Sequence, residues 1–99
     1  MKKASPHFIK ENYKFILFVS GMSVKSLRAI ENIRKIGTDY FNDNFDLQII
    51  DISKDQAAAS KYQIVAIPSL VKESPDPRRV IVGDLSDTTR VLKILEITE

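Results

Sequence analysis

A proline stands inside an apolar, β-prone stretch, Ala66-Ile67-Pro68-Ser69-Leu70, followed by Val71-Lys72. Proline has no N–H to give to a strand ladder, so Pro68 cannot be an ordinary residue of a central strand. It belongs at a strand's start. Ile67–Pro68 is a cis-proline candidate, because an X-Pro bond loses only about 0.5–1 kcal/mol on going cis and reverses the chain sharply. Pro68 thus divides the chain: a β–α–β pattern and a short helix lie upstream, a proline-broken hairpin and a helix downstream.

Upstream, 13–20 (YKFILFVS) is a continuous apolar run with aromatic and β-branched members, the composition of a strand buried on both faces. Gly21 breaks it. Ser23 is an N-cap candidate, and Leu27, Ile30, Ile33 and Ile36 recur at helical spacing, with Val24 and Ala29 widening the stripe. Gly37 is placed to end that helix. A polar connection over 38–44 carries Tyr40 and Phe41, expected to pack beneath it. A second strand over 46–52 (DLQIIDI) follows, parallel to the first through a right-handed crossover. The segment 54–62 reads as a short helix with a thin apolar face. Downstream, 69–72 and 78–82 form an antiparallel hairpin around Pro75 and Pro77. Gly83-Asp84-Leu85 turns the chain, Ser86 is an N-cap candidate, Asp87 suits a first turn by charge, and Val91, Leu92, Ile94 and Leu95 give a closing helix its buried face. The order is β-α-β-α-β-β-α: a four-stranded mixed sheet with three helices on both faces.

Composition excludes several functions. The 99 residues suffice for a single domain, 1–99, with 1–12 a flexible lead-in. There is no cysteine, which removes thiol chemistry, disulfides and cysteine metal sites. One histidine, His7, near the terminus and expected in solvent, makes a poor basis for a metal or acid–base site. The carboxylates Asp51, Asp55, Asp76, Asp84 and Asp87 show no spacing that forces two together. A net charge of +2 is too small for a nucleic-acid footprint. No apolar run approaches the about 20 residues that span a bilayer. The expectation is a cytoplasmic protein without cofactor or metal.

The arrangement is that of thioredoxin, without its cysteines. More specifically, the chain resembles the KaiB family of circadian-clock proteins and the sensor domains of related histidine kinases. The resemblance rests on Val19-Ser20-Gly21, Ser26-Leu27-Arg28-Ala29-Ile30, Ile50-Asp51-Ile52, the stretch from Ala66 to Lys72, the Pro-x-Pro with its Arg pair, and Gly83-Asp84-Leu85-Ser86, in order across 13–95. It implies a non-catalytic protein that binds a KaiC-like ring ATPase and modulates its phosphorylation state, with a KaiA-like protein or a sensor histidine kinase as further partners. It also implies two folds: the thioredoxin-like one, and a ground-state fold with a rearranged C-terminal half in a homo-oligomer, dimer or tetramer. Arg28, Lys72, Arg78 and Arg79 are the implied partner-binding cations, and Gly83 and Asp84 the implied hinge for fold switching. Here the Arg pair follows Pro77 directly, one position earlier than is usual in the family. In a strand such a shift turns a side chain to the opposite face. The competing reading is a stress-response adaptor that kept the fold without the KaiC partner.

Overall fold

The computed structural model describes residues 13–42 and 44–96; the expected lead-in 1–12, with His7, lies outside the described residues. The elements are β1 (Tyr13–Val19), α1 (Val24–Phe41), β2 (Phe45–Asp51), α2 (Gln56–Lys61), β3 (Ser69–Ser74), β4 (Arg79–Val82) and α3 (Thr88–Ile94). They form a four-stranded mixed sheet of order β2-β1-β3-β4. β1 and β2 are parallel, Tyr13 opposite Phe45 and Val19 opposite Asp51. β3 runs antiparallel to β1 and pairs antiparallel with β4. The thioredoxin-like alternative is therefore the one seen: β3, β4 and α3 take the places expected of them.

The central run behaves as its composition requires. Phe15 to Val19 are all buried, because β1 is covered on both faces. Phe15, Leu17 and Val19 point to one side and meet Ala29, Ile33 and Ile36 of α1, Leu70 and Ile81 of the hairpin, and Val91, Leu92 and Leu95 at α3. Ile16 and Phe18 point to the other side and, with Val71, meet Ala58 of α2 and Tyr62, Ile64 and Ile67. The alternation of strand side chains thus loads a large core under α1 and α3 and a small one under α2.

Several expectations need correcting. Gly37 does not end α1; it is buried inside the helix, which runs on through 38–41 to Asn42. Asn42 takes the left-handed conformation at the C-cap (φ 53°), and its N–H donates to the Gly37 carbonyl. Gly37 is there because a Cβ would overlap the Phe45 ring. Phe41 is buried and Tyr40 packs against the core, as expected, but from helix and not from a loop. Val24 and Leu27 do not belong to the buried stripe: they are 64% and 44% exposed, while Ser26 is buried in their stead. The cap of α3 is Asp87, whose carboxylate accepts the Arg90 N–H at 3.1 Å, and not Ser86. Ser23 does cap α1, accepting the Ser26 N–H. Ile67–Pro68 is cis, as are Ser74–Pro75 and Asp76–Pro77.

Candidate functional site

The four cations named from sequence are placed in different surroundings. Lys72 pairs with Arg79 across the hairpin and with Phe15 across β1, so both basic side chains start on the α1/α3 face. Lys72 is buried, 2% exposed, with its ammonium 5.8 Å from the centre of the Tyr13 ring. Its charge is thus covered in this fold, which an outward-facing contact did not anticipate. Arg79 reaches past the end of α3 to Glu96, Nη2 to Oε2 2.6 Å, with both side chains solvated. Arg78, one residue earlier, goes the other way: its guanidinium lies 5.8 Å from the Tyr62 ring centre and donates to the Tyr62 carbonyl at 3.3 Å. Adjacent residues turn to opposite faces of a sheet, so the two guanidinium groups lie apart in this fold. Arg28 stands at the far end of the sheet, exposed on α1.

The C-terminal end of the parallel pair is held by short polar side chains. The Ser20 N–H donates to the Ser26 hydroxyl oxygen at 3.1 Å, and the Ser23 hydroxyl donates to the same atom at 2.8 Å. Ser26 is therefore buried to fasten the β1–α1 loop, and that displaces the helix's apolar stripe from Val24 and Leu27. Asp51 completes the anchorage from β2. Its Oδ1 accepts the Ser53 hydroxyl at 2.7 Å, the Gly21 N–H at 3.0 Å and the Ser53 N–H at 3.0 Å. These bonds, the Ser53 hydroxyl foremost, hold the Asp51 carboxyl below the ordinary carboxylate range. The sequence offers Ser23 as the cap of α1; the inward turn of Ser26 and the bond from Asp51 to Gly21 are marked there only by two serines three apart at the helix start and an aspartate two before Ser53.

The implied hinge is a braced turn. The Gly83 N–H donates to the Pro68 carbonyl at 2.9 Å, with Gly83 at φ 120°, a conformation few side chains tolerate. The Asp84 carbonyl accepts from Asn32 Nδ2 of α1 at 2.8 Å. The Asp84 carboxylate accepts the Ser86 N–H at 3.0 Å; bonds from Ser86 first, then the charges of Arg28 and Lys25, depress its pKa. Leu85 sits at φ 65° with its side chain buried, so its burial holds a backbone shape leucine seldom adopts. On the α2 side, the Tyr62 hydroxyl bonds to Glu73, and that bond, ahead of desolvation, raises the Tyr62 pKa.

No group of histidine, cysteine or acidic residues among the described residues could hold a metal ion, and no described helix is long and apolar enough to cross a membrane. A cysteine-free sheet of order β2-β1-β3-β4 with a cis-proline opening β3 defines a thioredoxin-like domain without thioredoxin's thiols. Solved structures agree on the fold: yeast mitochondrial thioredoxin 3 superposes with a TM-score of 0.69 at 15% identity, over 89% of this chain and 81% of that one. The N-terminal domain of Synechococcus elongatus SasA gives a TM-score of 0.70 at 24% identity, over 100% and 97%.

The family is narrower. The model of the KaiB domain matches residues 16–97, and this chain belongs to the KaiB family. It is 37% identical over 81 residues to circadian clock protein KaiB3 of Synechocystis, covering 82% of this chain and 79% of that protein. It is 38% identical over 88 residues to the circadian clock oscillator protein KaiB of Rippkaea orientalis, covering 89% and 85%.

Proposed function

We propose that this chain is a non-catalytic, cytoplasmic regulator of the circadian-clock type, which binds a KaiC-like ring ATPase and biases its phosphorylation state. The observation that carries the reading is the KaiB-family match across 16–97, with relatives that are themselves clock proteins. A protein that works by binding suits a thioredoxin-like sheet with no cysteine at the start of α1, where a thiolate nucleophile would be required for exchange chemistry. A KaiA-like protein or a sensor histidine kinase belongs to the same proposal, as does switching to a ground-state oligomer about Gly83 and Asp84.

Arg28, Arg78 and Arg79 are the exposed cations that would meet carboxylates on the ATPase, and Lys72 would join them only after local opening. The test is a titration into a KaiC-like ATPase with ATP present, using wild type, Arg78→Glu, Arg79→Glu and the double variant. Saturable binding lost in the double variant supports the reading. Because the two arginines leave opposite faces, one single variant carries most of the loss, and that variant names the face. The stress-response adaptor is favoured by the divergence of the Arg pair and the burial of Lys72. It takes over if folded wild-type protein does not bind the ATPase at all.

A further inference from the structure

The sheet is open along β4. Its neighbour is β3, and no strand lies beyond it among the described residues. The Gly83 N–H donates inward to the Pro68 carbonyl, so by the alternation of an antiparallel ladder Ile81 and Arg79 also turn their backbone groups toward β3. The N–H and C=O groups of Val80 and Val82 then point outward from the sheet. Their side chains are uncovered as well. Val80 and Val82 stand opposite Val71 and Ser69 of β3, hence on the α2 side. The core beneath α2 takes in Val71 but neither of these two, which stay 43% and 46% exposed. An edge with free ladder groups and two apolar side chains on one face is a template for another strand.

Charge selects neither an acidic nor a basic strand for that place. Arg79 is paired with Glu96, and Arg78 rests on the Tyr62 ring, whose hydroxyl is bonded to Glu73. At the other end of β4, Asp84 lies beside Arg28 and Lys25. The edge is close to electrical balance, and what it fits is itself. Let two copies of β4 run antiparallel about a twofold axis at Ile81. Val80 then faces Val82 of the second copy, and each such pair exchanges both N–H···O bonds. Arg79 faces Gly83, which has no side chain to meet, and Arg78 comes to the turn that carries Asp84. Sliding by two residues either way sets Arg78 or Asp84 against a valine. Sliding by one sets outward backbone groups against residues whose groups turn inward.

We propose that this chain, in its thioredoxin-like fold, pairs with a second copy through β4, joining two four-stranded sheets into one continuous sheet. With four residues in each strand the contact falls short of what a stable dimer buries, so the pairing is weak and concentration-dependent. The dimer covers the strand that begins with Arg79, just after Arg78. On the ATPase reading, self-pairing and ATPase binding therefore exclude one another, but the dimer itself does not depend on that reading.

The experiment uses the full chain with no ATPase present, so its result stands whatever the ATPase titration gives. Sedimentation shows the apparent mass rising toward twice that of the monomer between about 10 μM and about 1 mM. At the higher concentration the amides of Val80 and Val82 exchange several times more slowly, whereas that of Ile81, already turned to β3, changes little. A mixture of isotope-labelled and unlabelled protein gives a nuclear Overhauser contact between Val80 of one copy and Val82 of the other. Val80→Lys, at an exposed position, keeps the protein monomeric by placing a charge on the edge. Val82→Pro does the same by removing an outward N–H, a change an edge strand tolerates. Wild-type amide shifts throughout β1 show that both variants are folded. The proposal is overturned by a mass that stays monomeric throughout, by an assembly larger than a dimer, or by protection centred on β2, the other edge. It is equally overturned if Val80→Lys and Val82→Pro dimerise as the wild type does.

Discussion

At the scale of single residues, Gly37 shows two effects with opposite signs. Alanine in a helix interior is better than glycine by about 1 kcal/mol. At position 37, however, a Cβ meets the Phe45 ring, which is itself held edge-on against Phe15, ring centroids 5.8 Å apart. Overpacking of this kind costs about 1–3 kcal/mol, so crowding wins and Gly37→Ala destabilises. In a Phe45→Ala background the obstacle is gone, and the same substitution becomes stabilising by up to about 1 kcal/mol; urea denaturation of the four proteins checks the reversal. Asp51 supplies a pH signature. Its folded pKa is depressed, so its contribution is present above the unfolded value, near pH 4, and is lost as pH falls through the folded one. The stability gap between wild type and Asp51→Asn is therefore widest at neutral pH and closes below about pH 4, as acid titrations of both proteins would show.

Elements differ in how firmly they are attached. α1 has 18 residues, a capping serine and an extensive buried face; α2 has six residues and no fully buried one. Isolated helices of that length are unstable in water, so α2 depends on what lies beneath and beside it. Ala58 and Tyr62 pack on Phe18 and Val71, and the Tyr62 ring lies 5.3 Å from that of Phe18. Arg78 and Glu73 then link Tyr62 to the hairpin through a carbonyl, a ring face and a hydroxyl. Exposed contacts of this sort contribute about 0.5–1 kcal/mol each. Arg78→Ala is accordingly expected to speed amide exchange within 56–64 severalfold while leaving the exchange of β1 unchanged. Equal acceleration in both would mean that α2 has no opening of its own.

For the molecule as a whole, stability resides on the α1/α3 side. That core joins β1, α1, the hairpin and α3, whereas the opposite core rests on Ile16, Phe18 and Val71 with partly buried neighbours. Ile33, fully buried between α1 and the sheet, is expected to cost about 2–5 kcal/mol on truncation to alanine. That is a large share of the about 5–15 kcal/mol available to a domain, so the denaturation midpoint falls markedly while the slope is retained. The two ends of the sheet differ as well. At one end Arg78 and Arg79 diverge around the hairpin; at the other, Ser26 and Asp51 tie down a loop that leaves Met22 and Val24 in solvent.

Much of this was determined by sequence itself. The continuous apolar run of β1, the helical repeat of Ile33 and Ile36, the proline at the head of β3 and the missing cysteines define the element order, the central strand and the loss of thiol chemistry. Those are local properties: period, backbone restriction and composition. Tertiary structure decided the rest. Gly37 reads as a terminator until Phe45, eight residues later, is folded against it. Val24 and Leu27 read as core until Ser20 recruits Ser26 inward. Arg78 and Arg79 read as a pair until a strand turns them to opposite faces. Each of these depends on which distant groups the fold brings within bonding distance, and no window of neighbouring residues contains that information.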